Sequence, residues 1–249
     1  MKLQRLLSLT RKAVDEFQMI QPGDRIAVGI SGGKDSLALL YALASLRHFY
    51  PHPFTIEAVT VSLGYEGFDL SPVRALTKQL DVPYTVVETQ IGKIIFEDRR
   101  EGNPCSLCAK MRKGAFNKKA LELGCNKIAY AHHKNDVVET FLMSLFLEGR
   151  IHTFSPVTHL DRMNLTLIRP LLFVEEPEIK GFINKYQITT VKNPCPADGY
   201  TQREYTKELL AGLTRDHPGS LERIFTAILN SDLPAWRDRI PTVRGNHAV

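Results

Sequence analysis

The stretch RIAVGISGGKDSLALLYAL (residues 25–43) constrains this chain more than any other. A short apolar run rich in β-branched residues reads as a buried strand. It leads straight into two glycines, a lysine and a serine, and then into apolar residues at helical spacing. Glycines let the backbone turn tightly and bring its N–H groups close to an anion. The N-terminus of the following helix adds free donors and partial positive charge. Ser31, Gly32, Gly33, Lys34, Asp35 and Ser36 therefore form a phosphate cradle, with hydroxyls at both ends and a cation in the middle. It is not a Walker A loop. Lys34 is followed by Asp35, and counted from Gly29 the spacing is one residue short of G-x-x-x-x-G-K-[ST]. Nor is it the G-x-G-x-x-G of dinucleotide-binding folds. The plain alternative is a glycine turn between strand and helix.

The rest of the chain repeats the strand–helix alternation. TIEAVTVSL (55–63), PYTVVET (83–89), NKIAYAHH (126–133) and LTLIRPL (165–171) read as strands. Between and after them, SPVRALTKQL (71–80), SLCAKMRKGAFNKKALELG (106–124), NDVVETFLMSLFLEG (135–149) and EEPEIKGFINKYQI (175–188) read as helices. Ser71 is expected as an N-cap with Pro72 at the first helical position, and Gly124 and Gly149 as helix stops. This alternation predicts an α/β fold: a Rossmann-like parallel sheet with helices on both faces. Such sheets bind ligands beyond the carboxyl ends of their strands. The expected division is an N-terminal helix in residues 1–22, a nucleotide-binding domain over 23–215, and a C-terminal helix with a loose tail over 216–249. The tail proper, residues 237–249, has little apolar periodicity.

The totals fit one such domain. The chain has 249 residues, 43% hydrophobic and 24% charged, so it can bury a substantial core. No apolar run reaches the ~18 residues of a membrane span, and MKLQRLLSLTRKAVDEF reads as an amphipathic helix, not a signal peptide. The expected compartment is the cytoplasm, with no membrane partner. Net charge is +5, which favours an anionic partner. Arg99, Arg100, Lys110, Arg112, Lys113, Lys118 and Lys119 cluster around a cysteine pair. Each alone is an ordinary solvated side chain, but together they form a track suited to a nucleic-acid backbone.

A second acidic group lies in AHHKNDVVET (131–140). Asp136 and Glu139 are three apart and share a helix face. They could position Mg²⁺, which takes one or two carboxylates plus phosphate oxygens, or they could merely suit the positive end of a helix. His132 and His133 could touch nucleotide or substrate.

Three of the four cysteines stand in related settings, GNPCSLC (102–108) and KNPC (192–195). Cys105 and Cys108 form a C-x-x-C pair, and Cys195 follows 90 residues after Cys105. A thioredoxin-like redox pair has no need of Cys195. A closed structural zinc site wants a fourth ligand, and Cys125, at the entrance of a strand, reads as core. An iron–sulfur cluster on three thiolates is the third reading, and it leaves one iron open.

The residues now carry a resemblance. SGGKDS after a first buried strand resembles the PP-loop of the N-type ATP pyrophosphatases, and it implies the adenine nucleotide alpha hydrolase-like fold and an ATP substrate cleaved between the α- and β-phosphates. The second acidic stretch, with LEGRIHTFSPV and LIRPLLFVEEPEI after it, resembles the tRNA 2-thiocytidine synthetases (the TtcA family) over most of residues 25–203. Where that family has Gly-His-His and two adjacent acids, this chain has Ala131 and Asn135, and Pro196 directly follows the third cysteine.

The resemblance implies ATP with Mg²⁺ on the loop, Asp136 and the strand ends near Val61 and Ala131, with Arg112 reaching the γ-phosphate. Lys34, Asp35, Ser36 and Asp136 are the expected catalytic groups. It implies a [4Fe–4S] cluster on Cys105, Cys108 and Cys195, its open iron holding sulfur for transfer. The partners are tRNA, a sulfur donor (a cysteine desulfurase or free sulfide) and, as an option, a second copy of the chain. The reaction would adenylate a C2 carbonyl oxygen and replace it with sulfur, most readily in an anticodon-loop cytidine. The competing readings are a 2-thiouridine synthetase, sulfur insertion into a small-molecule cofactor, and a non-enzymatic ATP- and cluster-binding sensor.

Overall fold

A computed structural model describes residues 1–65, 67–95, 104–191 and 202–240. Among them, six strands form one sheet: β1 (Arg25–Gly29), β2 (Thr55–Ser62), β3 (Tyr84–Glu88), β4 (Lys127–Ala129), β5 (Val157–Leu160) and β6 (Leu165–Ile168). Their order is β3-β2-β1-β4-β6-β5. Every pairing is parallel except that of β5 with β6. The helices are α1 (Leu3–Glu16), α2 (Lys34–Leu46), α3 (Ser71–Gln79), the single turn α4 (Ile91–Lys93), α5 (Pro104–Glu122), α6 (Lys134–Glu148), α7 (Glu176–Lys185), α8 (Gln202–Asp216) and α9 (Ser220–Leu229). No helix among the described residues is long and apolar enough to cross a membrane.

Strand side chains alternate between faces, and the core divides accordingly. Ile26 and Val28 of β1 and Ile56 and Ala58 of β2 join the larger cluster, with Leu6 of α1, Leu37 and Leu40 of α2, Val137 of α6, Phe182 of α7 and Phe225 of α9. Ala27 and Val59 face the other way, onto Phe116 and Ala120 of α5. Helices thus cover both faces, as the alternation predicted. One buried ion pair ties the sheet to the end of α1: Lys127 Nζ lies 2.7 Å from Asp24 Oδ2 and donates to the Met19 carbonyl (2.8 Å).

Several details differ from expectation. Strand β5 has no counterpart in the sequence reading: it is four residues long, partly exposed and without alternation. Helix α8 was likewise unread, although it supplies two side chains of the site. Helix α3 starts at Ser71, so Ser71 is not the cap. Asp69 does that work, accepting from the Ser71 N–H (2.8 Å) and hydroxyl (2.9 Å). Helix α5 begins at Pro104, which puts Cys105 inside its first turn and not in a turn ahead of it. The start of the tail is tied down: the Ile240 N–H donates to the Glu16 carbonyl (2.8 Å), and Arg239 lies 3.4 Å from the Glu16 carboxylate. Residues 241–249 lie outside the described ones.

Candidate active site

From β1 the chain moves outward through β2 and β3, then returns to place β4 on the other side of β1. The carboxyl ends of β1 and β4 therefore face a crevice, the topological switch point where open α/β sheets bind ligands. The phosphate loop hangs over it. Ser36 Oγ accepts from the Ser31 N–H (3.2 Å) and donates to the Gly33 carbonyl (2.9 Å), and Ser31 Oγ accepts from the Gly33 N–H (3.3 Å). The two serines lock the loop into shape, and α2 starts at Lys34 with its N-terminus toward the crevice. Gly32 has φ +83°, a conformation other residues resist, and Val191 packs against its α-carbon.

A cleft of about 410 Å³ lies there. Ser31, Asp35 and Ser36 form one side, and Ala131, His132 and Asp136 the β4 side. The floor includes Val61, Phe116 and Tyr130, and the far wall is α5 through Ala109, Arg112 and Lys113. Gly29 permits this floor, because a Cβ there would stand 3.3 Å from the Tyr130 ring.

Asp136 is held by α6's own start. His133 is the N-cap: its N–H donates to Asp136 Oδ2 (2.9 Å), and its Nδ1 accepts from the Asp136 N–H (3.4 Å). Arg203 of α8 lies 3.2 Å from Asp136 Oδ1 and 3.4 Å from Glu139 Oε2. Asp136 thus serves both the helix end and the cleft. Burial, then the nearby Asp136 charge, push the Glu139 carboxyl up to about 7 despite Arg203. Asp35 Oδ1 is buried without a hydrogen-bond partner among the described residues, and His133 Nε2 lies 3.7 Å from it. An orphaned carboxylate oxygen beside Asp136 fits a Mg²⁺–phosphate ligand. His132 stacks near Phe154 and accepts at Nδ1 from Arg169 (3.3 Å), which leaves Nε2 as its donor. Burial, then the Arg169 charge, lower this imidazole to about 4, so it is neutral at neutral pH.

Lys34 does not line the cleft and is held in ion pairs. Its Nζ lies 2.9 Å from Asp35 Oδ2 and 3.1 Å from Glu176 Oε1 of α7. Glu176 also pairs with Lys180 (3.2 Å) and Lys207 (3.1 Å). Burial would raise this carboxyl, but hydrogen bonds from Lys207 and Lys34 and the lysine charges hold it at about 2. Asn135, which stands where an acid was expected, accepts from the Glu176 N–H (2.9 Å) and so joins α6 to α7.

Cys105 is exposed and Cys108 buried, both in the first turns of α5. Three residues apart, they share a helix face, an arrangement that suits two ligands of one soft metal centre. Cys108 packs with Leu63, Ile91 and Ile95 in an apolar pocket. No group of three metal-ligating side chains is found among the described residues; Cys195, with Arg99 and Arg100, lies outside them. Cys125 is core, packed with Phe116 and Ile128, and burial pushes its thiol up to about 11. Lys110, Lys113 and Lys118 are exposed on α5, while Lys119 is bound to Glu122 (2.5 Å). Glu176, Arg203 and Lys207 escaped the sequence reading. Their partners are brought together only by the fold, and the acids EEPE showed merely as a helix start.

The sheet order, the serine-locked loop and the carboxylates at the switch point define a PP-loop nucleotide-binding domain, and a family model described as a PP-loop domain matches residues 6–211. Two relatives, both named tRNA-cytidine(32) 2-sulfurtransferase, match most of the chain. The one from Pelobacter propionicus is 39% identical over 91% of this chain and 85% of its own length. The one from Geobacter metallireducens is 39% identical over 88% and 86%. The chain belongs to this family, the TtcA branch of the PP-loop proteins. The fold is similar to that of the U34-tRNA thiolase NcsA from Methanococcus maripaludis with its [4Fe–4S] cluster (TM-score 0.72, 23% identity, 88% of this chain and 76% of that one).

Proposed function

We infer that this protein is an ATP-dependent tRNA thiolase that converts cytidine 32 to 2-thiocytidine, acting in the cytoplasm. One observation carries the reading: the phosphate loop and the cysteine-bearing helix wall the same cleft, with Ser31 and Ser36 on one side and Ala109, directly after Cys108, on the other.

The chain's own groups suit each step. The loop N–H groups and the α2 N-terminus would hold the β- and γ-phosphates, and Asp35 and Asp136 would hold Mg²⁺. Val61 and Ala131 would flank the adenosine, with Arg112 turned to the γ-phosphate. Lys34 would exchange Glu176 for a phosphate oxygen, leaving Glu176 with Lys180 and Lys207. The C2 carbonyl oxygen of cytosine attacks the α-phosphorus and pyrophosphate leaves. Free sulfide then takes C2, and AMP departs with the original oxygen, so no oxidant or reductant is consumed; sulfur handed over as a desulfurase persulfide would first need two electrons from a pair of thiols, which leave as a disulfide. Positioning and fixed charge supply most of the phosphoryl step. Cys105, Cys108 and Cys195 would hold a [4Fe–4S] cluster, which would supply the sulfur-delivering centre. Lys110, Lys113, Lys118 and Lys119, with Arg99 and Arg100, would track the tRNA backbone, and the target would be an unstacked loop base.

Anaerobic purification with iron, sulfide and zinc analysis tests the cysteine assignment. About four irons per chain are expected; one zinc and no iron would reduce the cysteines to a structural clasp and remove the sulfur-transfer reading.

A further inference from the structure

The crevice has a second compartment. A cavity of about 240 Å³ opens beside the phosphate loop and shares Ser31, Val61 and Arg112 with the nucleotide cleft. Its remaining walls differ in character. Among the described residues no carboxylate and no lysine lines it; Leu63, Tyr65, Phe68 and Val191 do, with Thr60 of β2 and Gly33 of the loop. This is a surface for a flat, mostly apolar ring and not for a triphosphate. The volume is below the roughly 300–1,000 Å³ of drug-sized ligand sites, as a single pyrimidine nucleoside requires.

Its position relative to the reacting groups is specific. One wall is the phosphate loop. Another is α5, where Arg112 stands one turn beyond Cys108. A third is Val191, four residues before Cys195, whose N–H bonds to the Gly32 carbonyl (2.9 Å). Tyr65 packs against the apolar cluster that contains Cys108. Its ring seats on Gly92, where a Cβ would stand 2.8 Å from a ring carbon. A planar group in this compartment would lie between the loop and the helix that carries Cys105 and Cys108. The thiolation reaction needs its acceptor carbon at such a place, within reach of an α-phosphate and of sulfur in turn.

We propose that this compartment receives the extruded target pyrimidine, stacked on Tyr65 and Phe68, while ATP fills the larger cleft. The proposal rests on the tRNA-thiolating reading. Enzymes that act on a base take it out of its stack and hold it between aromatic or apolar side chains. Tyr65 and Phe68 are therefore base-holding residues, and each has a glycine at positive φ directly before it, Gly64 and Gly67.

The test uses the full chain and two anticodon stem-loop RNAs, one with cytidine at the target position and one abasic there, titrated with and without Tyr65→Ala and Phe68→Ala. Wild type is expected to bind the cytidine RNA roughly tenfold more tightly than the abasic RNA, the scale of one base–aromatic stack. The double variant should bind both equally, with ATP affinity and iron content kept. Should the alanine variants lose ATP binding, Tyr65→Leu and Phe68→Leu keep the bulk, remove the stacking faces and carry the same comparison. Wild type that binds neither RNA sinks the tRNA reading and this proposal together. Wild type that fails to discriminate, or a variant that discriminates as well as wild type, overturns the compartment alone.

Discussion

The N–H of Val191 donates to the Gly32 carbonyl across 2.9 Å, and the side chain of Val191 packs so closely that a Cβ on Gly32 would stand 2.8 Å from its own. The phosphate loop is therefore fastened to the segment that runs toward Cys195. At φ +83°, Gly32→Ala would cost about 1–2 kcal/mol in backbone strain, and relief of the Val191 contact would move the loop. The expected result is at least a tenfold loss of ATP affinity by calorimetry, with the thermal transition shifted by only a few degrees.

Lys34 offers a separation of chemistry from folding. Lys34→Ala leaves Glu176 with Lys180 and Lys207, so the chain should stay folded while ATP turnover falls by two orders of magnitude or more, measured as AMP and pyrophosphate released. ATP-dependent turnover surviving in this variant would refute the role of the loop lysine.

Glu176 also fixes a pH dependence. Its carboxyl is held at about 2, below the ordinary 4.5. A depressed carboxyl stabilises the fold above its unfolded value, and that contribution disappears as pH falls through 4.5 toward 2. Chemical denaturation of Glu176→Gln against wild type should show this component of the acid loss removed.

Asp24→Ala should be the most damaging change distant from the site. It would leave the buried Lys127 ammonium without its carboxylate, and breaking such a pair costs about 3–5 kcal/mol. The same side chain also accepts from the Gln21 N–H (2.6 Å) and the Asn126 amide (2.7 Å). A large drop in the denaturation midpoint is expected.

The four cysteines should divide three to one. Changing Cys105, Cys108 or Cys195 to Ala should remove iron from anaerobically purified protein. Cys125→Ala should keep it and cost about 1 kcal/mol for the small cavity left in the α5 face of the core. Iron essential to Cys125 and indifferent to Cys195 would reverse the ligand assignment.

How much of this was legible in the sequence follows from the range of each interaction. The loop SGGKDS is local: strand, turn and helix start are consecutive, and the serine hydrogen bonds span five residues or fewer. The parallel strands announced themselves as apolar runs because both their faces are covered. Strand β5 did not, since an antiparallel edge of four half-exposed residues has neither run nor alternation. Glu176 looked like a helix-start acid, and only the fold brings three lysines around it. Arg203 stands 67 residues from Asp136 in a helix with no motif. The two compartments of the crevice were beyond sequence reading altogether, because Tyr65, Arg112 and Val191 meet only when the loop, α5 and the segment after α7 converge.

The most direct test of the account is a single-turnover reaction under anaerobic conditions, with the iron-loaded protein, ATP, Mg²⁺, sulfide and unmodified tRNA, followed by nucleoside mass spectrometry and nucleotide analysis. The account predicts 2-thiocytidine at the anticodon-loop position, with one AMP and one pyrophosphate released per sulfur incorporated and none formed without ATP. AMP and pyrophosphate released with no thiolated nucleoside, or sulfur incorporated without ATP cleavage, would contradict it.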